Sequence, residues 1–152
     1  MKTIQGDLLK LASDGHFDVI VHGCNCQNQM GKGIAKTIKQ KFPAAYAADL
    51  ETEKGSREKL GTFSTATIDS NDHTFTIVNG YTQFHWRGRG VKADYDAIRA
   101  VFNGIKQFFS GQRIGYPLIG AGLAGGDWHT IEVIINEELA GEDHTLVNYQ
   151  PG

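Results

Sequence analysis

Two glycine-rich stretches constrain this chain more than anything else in it: Met30-Gly31-Lys32-Gly33-Ile34-Ala35 and Gly120-Ala121-Gly122-Leu123-Ala124-Gly125-Gly126. Each lies between an apolar, strand-like run and a helical pattern, so each is predicted to turn the chain from strand into helix. Glycine permits positive φ angles and close backbone approach, which lets main-chain N–H groups converge on one anion. A helix N-terminus adds partial positive charge at the same place. Either stretch alone reads equally well as a tight structural turn. The pair suggests a diphosphate held from both sides. Neither is the phosphate loop of an ATPase, because the Gly-Lys-Ser/Thr ending is missing.

The runs between these turns alternate strand and helix. Met1 to Ile4 is a short strand candidate, and Phe17-Asp18-Val19-Ile20-Val21 is apolar enough to lie inside a sheet. A helix is expected from about Gly33 to Phe42, closed by Pro43, and a second from Ala44 to Glu53. Phe63 to Ile68 and Phe75 to Asn79 flank the polar Asp69-Ser70-Asn71-Asp72, a hairpin signature. Ile98, Val101, Phe102, Ile105, Phe108 and Phe109 repeat at helical spacing within Asp94 to Phe109. Ile114 to Ile119 reads as a strand, Trp128 to Leu139 as a helix, and Leu146 to Tyr149 as a final strand. This order predicts an α/β domain with helices on both faces of a mixed sheet, one domain over residues 1–152. In such sheets ligands sit beyond the carboxyl ends of the strands, where both glycine turns fall.

A net charge of −2 argues against a general nucleic-acid binder, which is normally basic. Cys24 and Cys26 are too close for a useful disulfide framework and read as free thiols in a reducing cytoplasm. With His22 they offer soft metal ligands. Three side chains along one strand face, however, would struggle to surround a zinc ion that needs four. No signal peptide is visible, and no run approaches the ~18 apolar residues of a membrane span. A cytoplasmic protein without metal, cofactor or membrane partner is expected.

Several segments together resemble a macrodomain: Gly6-Asp7-Leu8, Asp18-Val19-Ile20-Val21-His22-Gly23-Cys24-Asn25, Gly31-Lys32-Gly33-Ile34-Ala35 and Ile119-Gly120-Ala121-Gly122-Leu123. They come in that family's order and cover nearly the whole chain. The His22-Gly23-Cys24-Asn25-Cys26 segment is similar to the ADP-ribose 1″-phosphate phosphatase branch. Thr82-Gln83 and the second glycine turn are similar to the ADP-ribosyl glycohydrolase branch that includes DNA-acting antitoxins.

The resemblance implies a three-layer α/β fold that binds ADP-ribose or a close derivative. It also implies hydrolysis at the distal ribose, as in ADP-ribose 1″-phosphate. A non-catalytic ADP-ribose module, or a hydrolase acting on an ADP-ribosylated protein or DNA, are the alternatives. It implies too that Asp7 accepts from the adenine amino group, with Leu8 supporting it through its backbone. Gly31, Lys32, Gly33 and Ile34, with Gly120, Ala121, Gly122 and Leu123, would enclose the diphosphate and distal ribose. Asn25 would bind that ribose, and Tyr149 could stack on adenine.

His22 and Asp127 are the acid–base candidates beside Asn25. Each has a plainer alternative. His22 reads also as a packed strand histidine, Asn25 as a turn-stabilising amide, and Asp127 as a helix N-cap. Tyr149 equally suits an ordinary sheet aromatic, and Asp7 a solvated turn aspartate. Gln83 stands where the glycohydrolase branch carries a nucleophilic lysine, and an amide cannot form that covalent intermediate. Ala124 stands where relatives in that branch carry an aspartate after Gly-Leu. His85-Trp86-Arg87-Gly88-Arg89 could grip a phosphate or a nucleobase, or be a solvated basic loop.

Overall fold

A computed structural model describes residues 1–87 and 90–151. Six strands, β1 (Lys2–Gly6), β2 (Val19–Asn25), β3 (Phe63–Ser70), β4 (His73–Gln83), β5 (Arg113–Tyr116) and β6 (Asp143–Tyr149), form one sheet in the order β1-β6-β5-β2-β4-β3. Every neighbouring pair is parallel except β3 with β4, so the sheet is mixed. Helices α1 (Leu8–Ser13), α2 (Gly33–Lys41), α3 (Pro43–Leu50), α4 (Tyr95–Phe109) and α5 (Trp128–Glu138) complete the fold.

Strand alternation divides the core in two. Val19, Val21 and Val78 pack with Ile98, Val101, Phe102, Ile131 and Ile135 of α4 and α5. Ile20, Ile77 and Phe75 face the other way, against Leu8, Leu9 and Ala12 of α1, Ile38 of α2 and Ala45 of α3. Because β2 is covered on both faces, its residues read as a continuous apolar run rather than an alternating one. The β3–β4 hairpin turns on Asn71 and Asp72, both at positive φ (49° and 64°), the combination a two-residue turn between twisted strands requires.

The fold departs from the sequence expectation in two places that shape the cleft. Residues 8–13 form α1, a helix of six residues too short for its period to be recognised. β5 ends at Tyr116, not at Ile119, because Pro117 has no N–H to donate to the ladder. It pairs with β2 only at Ile114 and Gly115, while β2 runs on to Asn25 and β4 to Gln83. The central strand therefore stops short of its neighbours, and a trough opens over its carboxyl end.

Candidate functional site

That trough is a cleft of about 650 Å³, with Gly23, Cys24 and Asn25 of β2 on its floor and Pro117 where β5 stops. A second hollow of about 440 Å³ adjoins it beside β1 and shares Gly33, Ile34, Pro117, Val147 and Tyr149. The sheet order fixes the polarity of the whole depression. One end lies at β1 and β6, with Asp7 and Tyr149; the other lies at β4, with Thr82, Gln83 and Trp86.

The two glycine turns form opposite walls. In the first, Gly31 stands in open space and Gly33 adopts φ +60° at the start of α2. Lys32 makes no side-chain cap, so the leading N–H groups of α2 keep their hydrogen-bonding capacity. In the second, Gly120 and Gly125 both sit at φ +73° and the Gly126 N–H closes the turn on the Gly120 carbonyl at 2.7 Å. Among the described residues the N–H groups of Gly122 and Leu123 have no protein acceptor. The walls nearly meet: a Cβ added at Gly33 would lie 3.6 Å from Leu123 Cδ1. Both turns thus bring uncommitted main-chain donors to the lining of one narrow space, an arrangement suited to an anion with several oxygens.

The floor is held from below. Asn25 donates through Nδ2 to the Gln29 carbonyl (2.9 Å) and accepts from the Gln27 N–H (2.9 Å), which leaves one of its amide protons uncommitted. It therefore braces the loop and lines the cleft at once. Behind that loop the buried Lys59 donates to Asn28 Oδ1 and the Cys26 carbonyl, with its ammonium 4.5 Å from the Tyr81 ring. The Tyr81 hydroxyl donates to Asp49 (2.7 Å), whose carboxyl is pushed up from its ordinary range by burial. Burial also raises the Cys24 and Cys26 thiols, which makes both poor nucleophiles. None of this network was expected from the sequence. Within it Asn28 is a non-glycine residue at φ +56°, a conformation that asparagine tolerates better than most residues.

Two acid–base candidates lie outside the cleft lining. His22 is 1% exposed and does not line the cleft. Its Nε2 lies 2.6 Å from Asn79 Oδ1, and Asn79 spends its amide protons on the Ala45 carbonyl and Ser64 Oγ. The Asn79 oxygen must then accept and Nε2 must donate, which fixes the neutral tautomer. Burial lowers the His22 pKa to about 4, so the ring is neutral at physiological pH and packs behind the sheet. Asp127 caps α5, accepting from the Thr130 N–H (3.1 Å) and hydroxyl (2.7 Å), and it too lies outside the cleft lining. These two bonds hold its carboxyl below the usual range.

Asp7 caps α1 through Oδ1, which accepts from Leu9 N and Lys10 N at 3.1 and 3.3 Å. Among the described residues its Oδ2 has no donor. Leu8 is buried in the wall of the hollow, and Tyr149 is 74% exposed at its mouth. Ala121 leans on the core beneath the second turn and does not line the cleft. At the β4 end, His85 stacks on Trp86 with ring centroids 4.1 Å apart and Arg87 lies 5.4 Å from the indole. Gly88 and Arg89 lie outside the described residues. No group of three metal-binding side chains occurs among the described residues, and no helix there is long and apolar enough to cross a membrane.

The Macro domain family profile matches residues 21–135. The chain is 33% identical over 156 residues to an uncharacterised 17.5 kDa protein of Enterobacteria phage T4, covering 99% of this chain and 97% of that one. It is 28% identical over 127 residues to a DNA ADP-ribosyl glycohydrolase of Mycobacterium tuberculosis, covering 84% of this chain but only 35% of that protein. A stretch of 44 residues, 29% of the chain, is 54% identical to part (20%) of an ADP-ribose 1″-phosphate phosphatase of Aspergillus fumigatus. The solved macrodomain of Mycobacterium tuberculosis DarG superposes with a TM-score of 0.71 at 27% identity, covering 100% of this chain and 99% of that one.

Proposed function

The chain belongs to the Macro domain family, and from that premise we propose that its cleft binds ADP-ribose and hydrolyses a distal-ribose derivative such as ADP-ribose 1″-phosphate. One observation carries the binding: unspent main-chain N–H groups on two walls that nearly touch, which suit a diphosphate. The adenosine end then lies at β1 and β6. There Asp7 Oδ2 can accept from the adenine amino group while Oδ1 keeps its capping role, and Tyr149 offers a ring for stacking. The distal ribose lies over Asn25 and Gln83.

In hydrolysis, water adds at the 1″ phosphate and the bond to the ribose oxygen breaks, releasing inorganic phosphate and ADP-ribose. The cleft contributes position rather than acid–base chemistry: the free amide proton of Asn25 orients the ribose, and the turns hold the diphosphate. Among the described residues that line the cleft, only Cys24, Lys32 and Tyr149 carry ionisable side chains. That sparseness supports a second reading, a module that binds ADP-ribose without turning it over. Release of ADP-ribose from DNA or protein is a third. Gln83 stands against a lysyl intermediate there, since a carboxamide is not a nucleophile at neutral pH. Two buried free thiols fit a reducing cytoplasm.

Calorimetry with ADP-ribose tests the binding, and phosphate release from ADP-ribose 1″-phosphate tests the turnover. Asn25→Ala is expected to weaken ADP-ribose binding about tenfold, the worth of one well-placed hydrogen bond. Asp127→Ala is expected to lower the melting temperature by loss of the α5 cap while leaving affinity and phosphate release at parental values. Loss of turnover in Asp127→Ala at parental affinity would return that carboxylate to the chemistry.

A further inference from the structure

One stripe of α2 runs Ile34, Thr37, Ile38, Lys41, spaced i, i+3, i+4, i+7, from half-buried Ile34 to exposed Lys41. On a helix that packs against a sheet these positions are normally apolar throughout. Ile38 is fully buried, yet the stripe ends in a lysine, and Thr37 replaces an apolar residue beside it. Both side chains line the hollow beside β1, together with Asp7, Ile34, Val147 and Tyr149. All three lysines of α2 are exposed, but Lys39 lies over the Tyr46 ring at 4.2 Å and Lys36 lines neither hollow, which leaves Lys41 as the one at the hollow beside β1. Among the described residues Lys41 has no carboxylate within ion-pair distance, although Asp7 lines the same hollow. The hollow therefore has one acidic wall and one separate cationic wall.

Lys41 lies eight residues beyond Gly33, about 12 Å along the helix axis from the turn that faces the diphosphate. A lysine stem leans back along the helix toward its N-terminus but covers only part of that distance, so the ammonium stays short of the diphosphate and at the adenosine end. We propose that Lys41 and Thr37 form a subsite for an additional phosphoryl group on the adenosine ribose, at its 2′ or 3′ oxygen. This rests on the reading that the cleft binds ADP-ribose, and it extends the ligand class to phosphorylated adenosine nucleotides. The ammonium supplies charge to the phosphoryl oxygens and the Thr37 hydroxyl supplies a neutral donor. Asp7, capping α1 on the facing wall, disfavours an anion on its own side and gives the subsite a direction.

Calorimetry with ADP-ribose and with ADP-ribose 2′-phosphate, on the parent and on Lys41→Met, tests the subsite. Competition by adenosine 2′,5′-diphosphate and 3′,5′-diphosphate, each against AMP, separates the two oxygens. The parent is expected to prefer the extra phosphate roughly tenfold at low salt, with the preference shrinking as salt rises. In Lys41→Met the preference disappears while ADP-ribose itself binds as before. A lysine that only complements the carbonyl end of α2 would lower the melting temperature on substitution without touching that ratio. Equal affinity of the parent for the two ligands, or a preference unchanged in Lys41→Met, overturns the subsite while leaving the cleft reading intact. Absence of heat with both ligands overturns the cleft reading and the subsite together.

Discussion

Gly122→Glu will fold as stably as the parent and bind ADP-ribose at least about 100-fold more weakly. Both halves of this expectation come from the second turn. A Cβ at Gly122 would meet nothing within 4 Å, and its backbone is not in the left-handed region, so a side chain enters without strain. The residue lines the cleft, and its N–H has no acceptor among the described residues. A carboxylate there sets like charge against like in a narrow site, which costs several kcal/mol. Gly120 and Gly126 make poor substitutes for this test. Gly120 is at φ +73° with Ile131, Ile98 and Ala93 crowding its Cβ position, and a Cβ at Gly126 would lie 2.6 Å from the Gly120 carbonyl oxygen. Substitution at either breaks the turn itself. Gly122→Gln separates charge from bulk and is expected to recover most of the lost affinity. Thermal denaturation matching the parent, with parental affinity for ADP-ribose in Gly122→Glu, would remove the diphosphate from this wall.

The turns were legible in the sequence because everything they need is local: glycines where positive φ is required, an apolar run before and a helical period after. The hairpin was legible for the same reason, since Asn71 and Asp72 are residues that tolerate its turn. What His22 does was not. Whether a strand histidine faces a cleft or a neighbouring helix depends on register, and its partner Asn79 sits 57 residues away on β4. The Lys59 contact with Asn28 spans 31 residues and leaves no spacing to recognise. Asp127 lies between these cases. Its capping partner Thr130 is three residues on, so the cap was readable, but a cap and a catalytic carboxylate share the same local sequence. The end of β5 could have been read from Pro117, and with it the position of the cleft floor.

The same burial that keeps His22 out of the cleft lining ties the stability of the fold to pH. Burial lowers the pKa of His22 to about 4, against the partial opposition of its bond to Asn79. Burial, with help from the nearby N-terminal ammonium, does the same to His144, which packs on Tyr116 with its Nδ1 2.7 Å from the phenol oxygen. In the unfolded chain both rings take a proton near pH 6.5. Between these values the unfolded state binds more protons than the folded one, so stability rises with pH across the window. Their contribution is complete above about pH 6.5 and is lost as the pH falls toward 4, roughly 3 kcal/mol for each ring. Two such losses rival the whole stability of an ordinary domain, about 5–15 kcal/mol. Asp18, held below the usual carboxylate range by Arg113, weakens the fold only at still lower pH. Asp49, whose pKa is raised, works in the opposite sense. Urea denaturation is therefore expected to give a constant midpoint above pH 7 and a steep fall between pH 6.5 and 4.5. His144→Gln and His22→Gln each lower the plateau, because each disturbs a buried hydrogen bond, but each also flattens the acid limb. The flattening distinguishes titration from simple loss of packing: a limb equally steep in both variants would assign the acid sensitivity to other groups.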